Sequence, residues 1–227
     1  MHKLHFYTLI LAFFFAACSN PAKNQSETTD KSSATAPTQS NTKSILVFGD
    51  SLTAGYGLED PGADSYPSVL QQKIDSLKLS YKVVNGGLSG ETSAGGLGRI
   101  DWLLHQKVDI FILELGANDG LRGLPVEQTE KNLQAIMDKV KAKYPDAKII
   151  LTGMMVPPNM GATYANAFKA IFPQLAKKNN VALVPFLLDG VAGNRDLNQA
   201  DGIHPTPKGA KIVAQNVWVV LKEILHS

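Results

Sequence analysis

Apolar residues fall along this chain in two alternating rhythms. The first consists of short apolar or mostly apolar runs: the continuous Ile45-Leu46-Val47-Phe48, then Tyr81 to Val84, Val108 to Leu115, Ala147 to Thr152 and Val181 to Val184. Runs of this length read as strands buried on both faces. The second rhythm is helical. In Tyr66 to Leu79, the residues Val69, Leu70, Ile74 and Leu77 share one face, with Ser65 or Ser68 in place as a cap. Ala94 to His105, Val126 to Lys143, Tyr164 to Asn179 and Lys208 to Leu225 read the same way, and Pro173 marks a place where the third of these can bend.

Strand and helix alternate from Lys43 onward. Apolar strands joined by crossover helices form a parallel sheet covered on both faces. The expected fold class is therefore α/β, a five-stranded parallel sheet in one domain over residues 43–227. In such sheets ligands bind beyond the carboxyl ends of the strands, where the strand order reverses. No internal repeat is visible, and Gly95-Gly96-Leu97-Gly98 does not match a dinucleotide fingerprint.

Residues 1–17 have another character. Lys3 precedes the apolar run Phe6 to Phe15, which is too short to span a bilayer comfortably, so the segment reads as a signal peptide for export. Phe15-Ala16-Ala17-Cys18 resembles the lipobox of bacterial lipoproteins, with Phe15 where Leu is usual. In that class the cysteine is acylated and becomes residue one. Lipidation of Cys18 would anchor the protein to a membrane, in the periplasm or at the cell surface. The alternative is cleavage near Ala17 without lipidation, giving a soluble periplasmic or secreted protein with a free thiol. Ser19 to Thr42 contains no Leu, Ile, Val, Phe, Tyr or Trp. Residues 18–42 are thus expected to be a lipidated cysteine and a disordered tether, with an r.m.s. reach of about 25–30 Å.

Composition narrows the classes. The formal net charge is +2 over 227 residues and no Lys/Arg cluster stands out, so nucleic acid is not an expected partner. Cys18 is the only cysteine, which excludes an intramolecular disulfide and a thiolate metal site. The chain is expected to act as a monomer.

The candidate chemistry lies in four separate segments: Gly49-Asp50-Ser51-Leu52, Ser89-Gly90-Glu91-Thr92, Gly116-Ala117-Asn118-Asp119 and Asp201-Gly202-Ile203-His204-Pro205. Three of them follow predicted strands, so they should converge at one edge of the sheet. Ser51 is the candidate nucleophile and His204 the base that would take its proton, with Asp201 orienting the ring. The backbone N–H groups of Ser51 and Gly90 and the side chain of Asn118 are candidate donors for an oxyanion. Each residue also has a plainer reading. Ser51 fits a helix cap, Gly90 and Asn118 fit turns, and Asp201-Gly202 fits a solvated Asx turn. Ser89 is a rival nucleophile, because it too follows a strand. Neither serine sits in a Gly-x-Ser-x-Gly elbow, since Thr53 replaces the last glycine after Ser51. Leu121, in the segment Gly120 to Pro125 read as a loop, and Pro157, beside Met154, Met155, Pro158 and Met160, are candidates to line an acyl-binding surface.

With these segments in place, the chain from Lys43 onward resembles the SGNH (GDSL-type) hydrolases. Ser51, Gly90, Asn118 and His204 fall on the four family-defining positions, and Asp201 on the triad acid. The longer strings Gly49 to Gly57, Glu114 to Gly123 and Asp201 to Pro205 look closest to the subgroup of bacterial thioesterase I, arylesterase and lysophospholipase. The resemblance implies a flavodoxin-like three-layer α/β/α sandwich, no metal and no organic cofactor. It also implies acyl-enzyme chemistry on esters and thioesters. Two further functions remain as alternatives: a carbohydrate O-deacetylase on the same scaffold, and a tethered binding lipoprotein without activity.

Overall fold

The short, mostly apolar runs become the strands β1 (Lys43–Gly49), β2 (Tyr81–Gly87), β3 (Ile110–Glu114), β4 (Lys148–Thr152) and β5 (Ala182–Val184). The computed structural model describes residues 42–225. The expected signal peptide, Cys18 and all of the tether but its last residue lie outside the described residues. All five strands are parallel, in the order β2-β1-β3-β4-β5. The chain starts in β1, steps outward to β2, and returns on the other side of β1 to lay down β3. The order therefore reverses between β1 and β3, where Gly49 pairs with Glu114.

Two strand lengths differ from the apolar pattern. β3 is shorter than the run Val108 to Leu115, because its register with β1 extends only from Ile110 to Glu114. Val108 and Leu115 are nonetheless buried. β2 is longer than Tyr81 to Val84, since it follows β1 as far as the Gly49–Gly87 pair. It is an edge strand and only Gly86 in it is fully buried.

Three layers result. The helices α3 (Tyr66–Ser76) and α8 (Pro207–Leu225) pack together, as do α4 (Ser93–Leu103) with α6 (Val126–Lys143) and α6 with α7 (Ala162–Asn179). Right-handed crossovers put the α3/α8 pair and the α4/α6/α7 group on opposite faces. α6 shows why these segments are helical: Thr129, Asn132, Leu133, Ile136, Met137 and Val140 are its buried positions, one stripe at a period of about 3.6. α7 continues through Pro173 to Asn179.

Three short helices have no counterpart in the apolar pattern: α1 (Ser51–Ala54), α2 (Pro61–Asp64) and α5 (Ala117–Leu121). Isolated segments of this length do not hold a helix by propensity, and these are held by capping and tertiary contact. Asp50 caps α1 through Leu52 N–H and Asp60 caps α2 through Ala63 N–H. α5 begins at Gly116, whose φ is +117°. It corrects the reading of Gly120 to Pro125 as a loop, because Gly120 and Leu121 are helical. α5 is pinned by Asp119, whose buried carboxylate accepts the backbone N–H of Ser93 at 2.8 Å.

Candidate active site

Ser51 is the first residue of α1, directly beyond β1. The turn from strand to helix is possible only with glycine at position 49. A Cβ there would lie 2.2 Å from Thr53 Oγ1 and 2.3 Å from Glu114 Oε2, far inside contact distance. This close exit points Ser51 into a cleft formed with the loop before α8. In that loop His204 Nε2 lies 2.8 Å from Ser51 Oγ, and His204 Nδ1 lies 2.6 Å from Asp201 Oδ2.

The loop carrying Asp201 and His204 is tied at several points. Asp201 Oδ1 accepts the backbone N–H of Ile203 at 2.9 Å and of His204 at 3.0 Å. Gln199 donates from its side chain to the carbonyls of Tyr56 at 2.8 Å and Pro205 at 3.0 Å, and its backbone N–H donates to His204 O at 2.7 Å. The Tyr56 ring packs on the imidazole, 4.7 Å between centroids. Burial pushes the Asp201 carboxyl up, but the hydrogen bonds from the His204 ring and from the two backbone N–H groups outweigh it and hold the group at about 2. Asp201 is therefore ionised throughout the neutral range. A carboxylate on Nδ1 fixes that nitrogen as the N–H donor and leaves the Nε2 lone pair facing Ser51. A row of this kind can draw the proton from a serine hydroxyl.

Gly90 follows β2 in the left-handed region, φ +80°, which glycine adopts without strain. Its carbonyl accepts from Arg122 Nη2 at 2.9 Å. Asn118 stands in the first turn of α5, and its Nδ2 donates to Asp50 Oδ2 at 3.0 Å. Among the described residues, neither the Ser51 nor the Gly90 backbone N–H donates to another protein group. The start of α4, just past Gly90, is bound to α5, which bears Asn118, through Ser93 and Asp119, whose link Asn132 and Thr129 extend into α6.

Ser51, Gly90, Asn118, Asp201 and His204 all line one open cavity of about 840 Å³. Its other walls are mostly apolar and include Leu121, Met154, Met155, Val156, Pro157 and Phe186. Pro158 also faces the cavity, and Met160 is not among its lining residues. Ser89 lines it as well, but no histidine or carboxylate hydrogen-bonds to it among the described residues.

Sequence reasoning missed three groups at this site. Asp50 and Glu114 are buried carboxyls beneath Ser51. Asp50 stands next to the candidate nucleophile, and its side chain is the α1 cap that a serine at the helix start calls for. Glu114 reads only as the polar end of an apolar strand. Phe186 was missed too, although it follows β5 by two residues, as the rule for strand carboxyl ends would locate it.

Residues 47–212 match the sequence pattern of the GDSL-like lipase/acylhydrolase family. The chain is similar to the esterase TesA of Pseudomonas aeruginosa, at 40% identity over 188 residues that cover 82% of this chain and 92% of that one. It is also similar to the thioesterase 1/protease 1/lysophospholipase L1 of Escherichia coli, 41% identical over 171 residues, or 75% of this chain and 79% of that one. A solved structure of the psychrotrophic esterase EstA from Pseudoalteromonas sp., inhibited by monoethylphosphonate, matches with a TM-score of 0.75 at 36% identity, covering 82% of this chain and all of that one (100%). The chain therefore belongs to the GDSL-like lipase/acylhydrolase family and is a hydrolase of ester bonds.

Proposed function

We propose that the chain is a serine esterase that cleaves carboxylic esters and thioesters of apolar acyl groups, lysophospholipids among them, through an acyl-enzyme on Ser51. The observation that carries this reading is the 2.8 Å contact between Ser51 Oγ and His204 Nε2 at the mouth of an apolar cavity of about 840 Å³. Ser51 Oγ attacks the acyl carbon while His204 takes its proton. Asp201 holds the ring and stabilises the imidazolium. The carbonyl oxygen becomes an oxyanion, facing the N–H groups of Ser51, Gly90 and Asn118. As the tetrahedral species collapses, His204 returns the proton to the leaving alcohol or thiol. Water then attacks the acyl-enzyme by the same route, releasing the acid and restoring Ser51. Monoethylphosphonate, which inhibits the Pseudoalteromonas esterase, is a tetrahedral phosphorus compound of the shape this mechanism passes through.

The cavity argues for acyl groups longer than acetyl. Leu121, Met154, Met155, Val156, Pro157 and Phe186 surround it, and their contact with each further methylene contributes about 0.8 kcal/mol where it is fully buried. A series of nitrophenyl esters tests this, with lysophospholipid as a second substrate and the Ser51→Ala protein as blank. kcat/KM is expected to rise from acetyl to hexanoyl and octanoyl. A preference for acetyl that falls with every added carbon would assign the site to deacetylation instead.

An exported lipoprotein anchored through Cys18 fits this substrate class, since lysophospholipids form at the same membranes and acyl-CoA is a cytoplasmic compound. No helix among the described residues is long and apolar enough to cross a membrane. In this proposal the acylated cysteine is the anchor. Radiolabelled palmitate carried by the wild-type chain and absent from Cys18→Ala is the expected result.

A further inference from the structure

Beneath the reacting groups lies a pair of buried carboxyls that the mechanism above does not use. Asp50 and Glu114 are both fully buried. Asp50 Oδ1 accepts the N–H of Leu52 at 3.0 Å, and Oδ2 accepts Nδ2 of Asn118 at 3.0 Å. The backbone N–H of Asp50 donates to Glu114 Oε2 at 3.1 Å. Thr53 Oγ1 donates to the same Oε2 at 2.7 Å. That donation uses the one hydroxyl proton of Thr53, so at its 2.8 Å contact with Tyr66 the phenol is the donor. Glu114 Oε1 is buried without a partner.

Two buried carboxyls in contact cannot both ionise at neutral pH. Donors identify the ionised one. Both oxygens of Asp50 accept hydrogen bonds, whereas Glu114 has one oxygen with no donor, the place for a proton. Burial pushes the Asp50 carboxyl up to about 6, against the pull of the Leu52 and Asn118 hydrogen bonds and of His204. Burial and then the Asp50 charge push Glu114 well above the ordinary carboxyl range. With a donor on each oxygen, Asp50 is the carboxyl of the pair that ionises first, and Glu114 the one that holds its proton longer.

We infer that Asp50 is the positioning residue of the oxyanion site: its carboxylate sets which way the Asn118 carboxamide points, and couples that choice to the helix start that carries Ser51. An amide can present its NH₂ or, turned by half a rotation, its oxygen. With Nδ2 held by Asp50 Oδ2, one amide hydrogen is spent on the carboxylate and the second is free for the cavity that Asn118 lines. The reversed orientation would set oxygen against carboxylate, which repel. Among the described residues no group donates to Asn118 Oδ1, so Asp50 alone decides.

This inference rests on the reading of Asn118 as an oxyanion donor, and a double-mutant cycle separates the two. Asp50→Asn keeps an oxygen for Leu52 N–H but offers NH₂ to Asn118, which turns the Asn118 oxygen inward and removes its donor from the cavity. The measurement is kcat and KM on a short nitrophenyl ester for Asp50→Asn, Asn118→Ala and the double variant. Asn118→Ala is expected to lower kcat by about 10²–10³-fold. Asp50→Asn should lower kcat by about 10²-fold with KM changed less than about threefold, and should cost less than about threefold more once Asn118 is alanine. Its melting temperature at pH 8 should not fall, since the variant removes a buried charge. Asp50→Ser, which still caps α1 but is too short to hold Asn118, should repeat the pattern and guards against a fault peculiar to asparagine. Full activity in Asp50→Asn, or an equal loss with and without Asn118, overturns the inference and leaves the donor reading intact. A harmless Asn118→Ala overturns both.

Discussion

Replacing Ser51 by alanine is expected to lower kcat on nitrophenyl esters by about 10⁶-fold, the scale of loss when the nucleophile of a serine–histidine pair is removed. The argument is one of atoms. Alanine leaves His204 Nε2 with no hydroxyl at 2.8 Å and leaves the carbonyl with no attacking oxygen. On the proposed mechanism, binding and the N–H donors would remain, and these alone would polarise a carbonyl toward water only weakly. Fold should survive, because among the described residues Ser51 Oγ bonds only to His204, and α1 keeps its Asp50 cap. Rate measurements and labelling with a fluorophosphonate check the result together. Ser89→Ala should retain both rate and label, since no base reaches that serine. Label on the Ser51→Ala protein would move the nucleophile elsewhere.

Asp201→Asn should cost about 10⁴-fold in kcat, with little change in KM. Asp201 Oδ1 is held by the N–H groups of Ile203 and His204, so an asparagine must place its oxygen there. Its NH₂ then faces His204 Nδ1, which becomes an acceptor. The ring proton moves to Nε2, the nitrogen that should take the proton of Ser51. The geometry is kept and the tautomer is wrong. A loss of less than tenfold would mean that the carboxylate only shapes the loop.

The legible and illegible parts of this molecule divide along physical lines. Long helices and central strands could be located because burial repeats along them, as in Leu133, Ile136, Met137 and Val140 of α6 or Ile45 to Phe48 of β1. α1, α2 and α5 span four or five residues, less than two turns, so no period exists to find. Ser51, Gly90 and Asn118 could be gathered from one rule, that residues just past parallel strands share an edge. Asp50 escaped because a charged residue at the end of an apolar run reads as the point where the chain meets water, and Glu114 because a single polar residue within a mostly apolar run gives no sign of its partner. Here the run ends in the interior, and only the opposition of Gly49 to Glu114 in the sheet register reveals it.

The tie made by Gln199 has a consequence for how the protein comes into being. Its carboxamide donates both to Pro205, beside the histidine, and to Tyr56, a few residues past the serine and 143 positions before Gln199. The sheet is already complete at Val184, before either Asp201 or His204 has been added. A chain growing from its amino terminus thus lays down all five strands before it holds either member of the Asp201–His204 pair. The hydroxyl gains its partner only when the last stretch emerges and latches, and that same stretch brings α8, so a product cut short after β5 would lack both the histidine and the helix that covers one face of its sheet.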